Sequence, residues 1–206
     1  MSNRNSLPKW LLWSAISGIG LVMLITLAGA LTLAHGAADP PQATHRAWDD
    51  TTLPWLAAID GWQTAPQDAA IPAGDFTLSA WVYTAPEQPL AAWGLWLETS
   101  DGARVVYALN SAGYTTTRRC PQPLPAMLED CPALQPGWRW MPYPRINPPG
   151  ETNRLTLHLE PSGNVRLRIN REILGAAPVT FTGRWGVWQR SANALTWERV
   201  TLWIGD

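Results

Sequence analysis

The segment from Trp10 to Leu33 constrains this chain more than any other, because it contains 24 residues and no ionisable side chain. An α-helix rises 1.5 Å per residue, so this segment would measure about 36 Å and exceed the ~30 Å hydrocarbon core of a bilayer. The sequence therefore predicts a transmembrane helix over residues 10–33, after a short N-terminus of residues 1–9. The alternative is a signal peptide cleaved near residues 34–38, although cleavable apolar regions usually have about 7–15 residues.

Charged residues around this segment predict its orientation. Arg4 and Lys9 precede it, whereas Asp39 follows it. The positive-inside rule then places the N-terminus in the cytoplasm and everything that follows the helix outside. We therefore expect a single-pass protein of the cell membrane, with a tether over residues 34–47 and an extracytoplasmic domain over residues 48–206. The preference for Arg over Lys and the lack of an Asn-x-Ser/Thr motif favour a bacterial envelope protein.

Alternating apolar and polar residues predict an all-β domain beyond the tether. In Phe76–Tyr83 the apolar side chains occupy every second position, and the same pattern recurs in residues 154–160 and 165–170. The latter two segments flank a Pro-Ser-Gly-Asn turn and therefore predict a hairpin with one apolar face. Further strands are expected over residues 93–99, 104–110, 113–119, 183–190 and 195–204. Many short strands separated by turns are typical of a β-sandwich of two antiparallel sheets.

The two cysteines, Cys120 and Cys131, lie in a Pro-rich loop that we expect over residues 120–149. Outside the cytoplasm, two cysteines most simply form one disulfide, which would close this loop. The alternatives are free thiols or metal ligands. No His lies near either Cys in the sequence, which favours the disulfide.

Two early segments, DFTLSAWV (75–82) and GLWLETSDGARVVYALNSAG (94–113), and three late ones, residues 153–174, 183–188 and 197–202, share a pattern of motifs. They resemble the early and late strands of the concanavalin A-like lectin/glucanase superfamily, particularly its laminin G-like and 3-keto-disaccharide hydrolase-type jelly rolls. The resemblance spans residues 48–206 and implies a jelly-roll β-sandwich. It also implies a hydrogen-bonding role for Glu198 beside the last strand. The chain departs from the family at Asn170-Arg171, where Asn-Gly is common.

Catalytic and metal motifs are missing from the sequence. The superfamily's glucanases carry Glu-x-Asp-x-x-Glu, and this run is absent, so the resemblance does not imply their catalysis. The pair Glu98 and Asp101 fits a strand end followed by an Asp-Gly turn better than a pair of catalytic carboxylates. The three His match no zinc spacing, and we expect neither a metal nor another cofactor. A formal net charge of −1 argues against nucleic-acid binding.

Aromatic and Arg side chains remain as candidate binding residues. Apart from Trp10 and Trp13, twelve of the 14 Trp belong to the predicted domain, more than one core easily accommodates. If their strands share a sheet, four side chains could line one outer face: Trp81, Tyr83, Trp96 and Glu98. A second set lies on the Pro-rich loop: Trp138, Arg139, Trp140, Tyr143 and Arg145. For any single Trp, burial inside the sandwich is the alternative.

Protein interfaces are enriched in Trp, Tyr and Arg. We therefore expect a non-catalytic module that docks on partner proteins as an accessory subunit of a membrane-protein assembly. The alternative is a cell-surface carbohydrate-binding module, because sugars stack on exposed aromatic rings. A glycan-cleaving enzyme is the third possibility.

Overall fold

The computed structural model describes residues 9–34, 45–57, 59–72, 74–86, 90–134, 139–160 and 163–205. The chain divides into two compact units, Met1–Pro40 and Pro41–Asp206. The predicted N-terminus lies outside the described residues except for Lys9, and so does the tether over residues 35–44. Residues 45–47 of the predicted tether belong to the first strand of the sandwich, so the folded domain begins earlier than expected.

The first unit contains one α-helix, α1 (Lys9–Ala34). Within the described part of the chain, no helix combines the length and the apolar character that a membrane crossing requires. The helix expected over residues 10–33 is thus found, but its assignment as a transmembrane helix is not supported.

The second unit is a sandwich of two six-stranded antiparallel sheets, which confirms the all-β prediction. Sheet A has the spatial order β1 (His45–Asp50), β12 (Leu195–Ile204), β3 (Phe76–Thr84), β8 (Thr152–Leu159), β9 (Asn164–Ile169) and β10 (Glu172–Pro178). Sheet B has the order β2 (Gly61–Thr64), β11 (Phe181–Arg190), β4 (Ala92–Thr99), β5 (Arg104–Asn110), β6 (Tyr114–Cys120) and β7 (Met141–Pro142). Short 3₁₀ turns occur at Gln67–Ala69, Leu128–Asp130 and Ala192–Ala194.

The main core lies between the two sheets and is built from every second residue of the strands. On β3 the buried inner side chains are Phe76, Leu78, Ala80 and Val82, as the alternation predicted. The facing sheet contributes Trp93, Leu95 and Leu97 of β4, Val105, Tyr107 and Leu109 of β5, and Trp185 and Val187 of β11. Period-two alternation thus identified the inner faces of β3 and β4 correctly.

A second apolar cluster covers the outer face of sheet B. The disulfide between Cys120 and Cys131 is formed, with the two Cα atoms 4.8 Å apart. The loop that it closes places Leu128, which is fully buried, against the sheet. The other buried members of this cluster are Ala92, Trp96, Val106, Ala108, Cys120, Cys131 and Trp188. Sheet B is therefore apolar on both faces, whereas sheet A has a polar outer face.

The turn after β9 explains the departure at Asn170-Arg171. Both residues have positive φ angles, 47° and 80°. A two-residue hairpin turn of this kind needs positive φ at both central positions, which Asn-Gly supplies without strain. The Asn170 side chain accepts a hydrogen bond from Arg154 N and donates to the carbonyl of Arg145. These bonds stabilise the turn, although Arg171 lacks the conformational freedom that glycine has at positive φ.

The disulfide should contribute measurably to stability because it closes the loop that covers sheet B. Replacing both cysteines, Cys120→Ser with Cys131→Ser, should lower the free energy of unfolding by about 3 kcal/mol. The measurement is urea unfolding of both proteins, with the unmodified chain repeated in reductant as a control. Equal midpoints for all three samples would contradict a stabilising role for the crosslink.

Candidate functional site

The structure separates the four side chains that were predicted to share one outer face. Trp81 and Tyr83 lie on β3 and point outward from sheet A, whereas Trp96 and Glu98 lie on β4 and point outward from sheet B. The prediction of one surface with all four is therefore wrong. The physical reason is that β3 and β4, although consecutive in the chain, belong to opposite sheets of the sandwich.

Trp96 is also buried, which corrects its prediction as an exposed binding residue. Its side chain has no exposed surface and lies across Gly186 of the neighbouring strand. A Cβ atom at Gly186 would stand 2.5 Å from Cζ2 of the Trp96 ring, so only glycine leaves room for the indole. The indole N–H donates to the carbonyls of Val187, at 3.0 Å, and Gln63, at 3.2 Å. Trp96 thus forms the floor of the outer face.

Above this floor lie three charged side chains and one aromatic side chain that we call the Glu98 cluster: Glu98, Arg104, Arg184 and Trp62. The guanidinium carbon of Arg104 lies 3.8 Å from the centroid of the Trp96 ring and 5.6 Å from that of Trp62. A carboxylate oxygen of Glu98 lies 3.3 Å from Nη1 of Arg184. The register explains the arrangement, because Glu98 pairs directly with Arg104 on the next strand.

The electrostatics of the Glu98 cluster follow from partial burial. Desolvation lowers the pKa of the Arg104 guanidinium, the carboxylate of Glu98 raises it, and the like charge of Arg184 lowers it again. The Nε atom of Arg104 is buried and has no hydrogen-bond partner, and its nearest aromatic surface is the Trp96 ring. Stacking on an aromatic face is a favourable environment for a guanidinium.

A cleft of about 360 Å³ adjoins the Glu98 cluster at Arg184. It is lined by Thr64, Ala65, Pro66, Gln67, Ala70, Gly183, Arg184 and Trp185. Arg184 is the common element, since its side chain is 61% exposed and also contacts Glu98. Thr64, Gln67 and Arg184 therefore supply polar groups to an open cleft, and the carboxylate of Glu98 contacts Arg184 beside it. This arrangement suits a ligand with several hydroxyl groups.

The outer face of sheet A is a ladder of Arg and aromatic side chains, which we call the Trp81 face. The guanidinium carbons of Arg154 and Arg199 lie 4.7 and 5.6 Å from the centroid of the Trp81 ring. Arg199 also forms two hydrogen bonds with Asp49, at 2.9 and 2.7 Å. The pKa of Asp49 is lowered chiefly by this contact. Arg side chains thus cover Trp81 in part.

Glu198 also belongs to this region. Its carboxylate accepts a hydrogen bond of 3.1 Å from the Thr152 hydroxyl, as the family resemblance implied for this position. Tyr83 is half-buried and pairs in register with Thr196 and Thr152 on the two neighbouring strands. The predicted residues Trp81 and Tyr83 are therefore accessible in part, among hydroxyl and charged groups.

The residues predicted on the Pro-rich loop are dispersed. Trp138 lies outside the described residues. Trp140 packs against the second cluster and donates a hydrogen bond of 3.2 Å to Glu129. Tyr143 packs against the main core, and Arg145 pairs with Glu172 at 2.7 Å. Arg139 lines a separate cleft beside the disulfide.

Sequence reasoning missed Trp62, Arg104 and Arg184 as members of the Glu98 cluster. Arg104 and Arg184 were placed on predicted strands, but their position on the outer face of sheet B depends on which strands are neighbours. A usable signal was the alternation itself, since Arg104 and Glu98 occupy outward positions on strands joined by a short Asp-Gly turn.

Asp101 has a structural role in this turn. Its Oδ1 atom accepts a hydrogen bond of 2.5 Å from the Thr99 hydroxyl, and its other oxygen contacts Arg119. These bonds, the one from Thr99 first, lower the pKa of Asp101 to about 2. Within the described ranges, no three His, Cys, Asp or Glu side chains come together as a metal site would require.

Comparisons with known proteins point to a fold. Neither a family model nor a curated protein matches the sequence. Among solved structures, the potassium-bound carbohydrate recognition domain of Emp46p matches with a TM-score of 0.51 and 10% identity, covering 70% of this chain and 77% of that one. The carbohydrate-binding module CBM66 from Bacillus subtilis has a TM-score of 0.44 and 10% identity, with coverages of 71% and 81%. Sheep galectin-11 has a TM-score of 0.46 and 7% identity, with coverages of 70% and 98%.

At such low identity the likeness shows the fold alone. The jelly-roll β-sandwich is the fold that the strand motifs suggested.

The buried His158 on the outer face of sheet A should make stability depend on pH. Its Nδ1 atom lies 2.9 Å from the Thr77 hydroxyl, and desolvation lowers its pKa, although Glu160 and Asp75 raise it and Arg166 lowers it. The unfolded chain therefore takes up a proton at this residue at a higher pH than the folded chain. Stability should fall as pH drops below about 6.5, the ordinary pKa of His, and the loss is complete below the folded pKa.

The measurement is the free energy of unfolding at several pH values from about 7 to 5. His158→Gln should remove this part of the pH dependence, while His35 and His45 remain as internal controls in both proteins. Identical slopes for the two proteins would contradict a depressed pKa at His158.

Proposed function

We propose that this chain binds carbohydrate at the Glu98 cluster, outside the cytoplasm and without catalysing a reaction on it. The observation that carries the proposal is the stacked guanidinium of Arg104 beside the Glu98–Arg184 ion pair, at the edge of an open cleft. The proposed function is therefore carbohydrate binding, which was the alternative drawn from the sequence, rather than docking as an accessory subunit.

The chemistry of the Glu98 cluster suits sugar hydroxyls. A carboxylate accepts hydrogen bonds from hydroxyl groups, and guanidinium N–H groups donate to hydroxyl oxygens. Bonds to a charged partner are the stronger ones in proteins. Trp62 is half-buried at the same place and offers an apolar surface for the ring carbons of a sugar.

The fold supports the same proposal. One of the matching solved structures, with a TM-score of 0.51, is described as a carbohydrate recognition domain. Folds host many functions, so the site residues must supply the specific argument. Here the fold comparison and the Glu98 cluster point to the same class of ligand.

The disulfide supports a location outside the cytoplasm. Cys120 and Cys131 are bonded, and disulfides persist chiefly in oxidising compartments. An exported protein of this fold would encounter polysaccharides of the cell surface or of its surroundings.

Substitutions at the Glu98 cluster should weaken carbohydrate binding. Glu98→Gln and Arg104→Ala each remove charge-assisted hydrogen bonds, and we expect about tenfold weaker affinity for each. The measurement is a screen of soluble polysaccharides by affinity electrophoresis, followed by calorimetric titration of each hit and a reducing-sugar assay for hydrolysis.

Trp81→Ala is the matched control, because Trp81 lies on the opposite sheet. It should leave the affinity unchanged. A polysaccharide whose binding is lost in Trp81→Ala and retained in Glu98→Gln would move the site to the Trp81 face. If no polysaccharide binds, the proposed function fails, and released reducing ends would contradict its non-catalytic part.

Docking on a partner protein is the second candidate function, and the Trp81 face favours it. This face presents two Trp side chains, each contacted by Arg: Arg46 lies 5.6 Å from the ring centroid of Trp203, and Arg154 and Arg199 contact Trp81. Such residues are enriched at interfaces. Gentle detergent extraction, native gel separation and mass spectrometry should then show companions that Trp81→Ala loses. Migration alone near its own mass would reject this second function.

A further inference from the structure

A second cleft lies beside the disulfide, on β6 and the loop that the disulfide closes. It measures about 520 Å³ and is lined by Arg118, Glu129, Asp130, Cys131, Pro132, Ala133 and Arg139. The chain that returns after Cys131 forms its wall and is held to β6, where Arg119 N donates to Pro132 O at 2.9 Å and Leu134 N donates to Thr117 O at 3.0 Å. The cleft is thus built on paired backbone.

Arg118 is unusual among the residues that line this cleft, because it is a cation with 7% of its surface exposed. Its Nε donates to the Thr116 hydroxyl and its Nη1 to the carbonyl of Cys131, both at 2.9 Å. Both acceptors are uncharged, and no described carboxylate lies within ion-pair distance of Arg118. A guanidinium has five N–H groups, so three remain after these two bonds.

The charges around the cleft compensate Arg118 only in part. Desolvation lowers the pKa of Arg118, Glu129 raises it, and the nearby Arg139 lowers it. Glu129 is already engaged, since its Oε1 accepts hydrogen bonds from Arg190 at 3.1 Å and from Trp140 at 3.2 Å. Asp130 is exposed on the rim. A buried cation without an ion pair is costly, and an anion in the cleft would lower that cost.

We propose that the cleft beside the disulfide binds a carboxylate group, with Arg118 as its floor and Arg139 as its second cation. A carboxylate accepts two parallel N–H bonds from a guanidinium, and Arg118 has N–H groups beyond its two bonds that can supply them. Arg139 is exposed and lines the same cleft. The carboxylate belongs either to an acidic sugar or to another small organic acid.

The test is calorimetric titration of the full chain, in mild detergent and low salt, with three probes: glucuronate, acetate and neutral glucose. Glucuronate should bind and glucose should not bind at this cleft. Binding should weaken as salt is added, because the contact is ionic. Tighter binding of glucuronate than of acetate identifies an acidic sugar as the ligand, whereas equal affinities identify the carboxylate alone.

Arg139→Ala should weaken glucuronate binding about fivefold, the upper range for a partly exposed ion pair. Arg145→Ala is the matched control, because Arg145 lies on the same segment and pairs with Glu172 instead. A glucuronate affinity that Arg139→Ala leaves unchanged overturns this site. If Glu98→Gln weakens that affinity instead, the ligand occupies the Glu98 cluster, and the proposed function stands without the second site.

Discussion

The packing of the disulfide-closed loop on sheet B determines which surfaces of this domain are available. Leu128 is completely buried among the outward side chains of β4, β5 and β11, and the Trp62 indole donates to the carbonyl of Pro125 on the same loop. The loop thereby converts most of an outer sheet face into a second core. What it leaves open is the end of the face with the Glu98 cluster, together with the cleft at Arg118. The cleft at Arg118 is therefore bounded by this loop, and the Glu98 cluster contacts the loop through Trp62.

Because both faces of sheet B are covered, its central strand β4 carries apolar residues on both faces. On β4, Ala92–Leu97 are all buried, and Glu98 is the first half-buried residue. A strand with apolar side chains on both faces is typical of a buried central strand rather than of a half-exposed one. The residues Trp93–Leu97 already show this composition, so two-sided burial could have been inferred for Trp96. Interpreting Trp96 as part of a polar face gave too much weight to Glu98, which lies where the strand leaves the cover of the loop.

The alternation of apolar and polar residues was sufficient to predict the strands, but not to predict which side chains share a surface. The bounds of β5 and β12 were predicted to the residue, and the inner faces of β3, β8 and β9 were correct. Edge strands were missed, because β1, β2 and β10 have weak alternation and gain their order from pairing with a neighbour. The candidate site was only partly predictable. Alternation assigns a residue to one of two faces, but the neighbour in space is set by long-range pairing, as the separation of Trp81 from Trp96 shows.

Arginine has a physical role here that composition alone did not reveal. Among the described residues, Arg side chains lie over the rings of Trp62, Trp81, Trp96 and Trp203. A planar guanidinium can stack on an indole and still donate hydrogen bonds from its edge, whereas the ammonium group of Lys is a compact, strongly hydrated charge. The same planarity lets Arg118 bond to two uncharged oxygens under the loop. The sandwich therefore depends on Arg where a wide aromatic surface meets water, and a Lys at these positions would lose the stacking contact while keeping the charge.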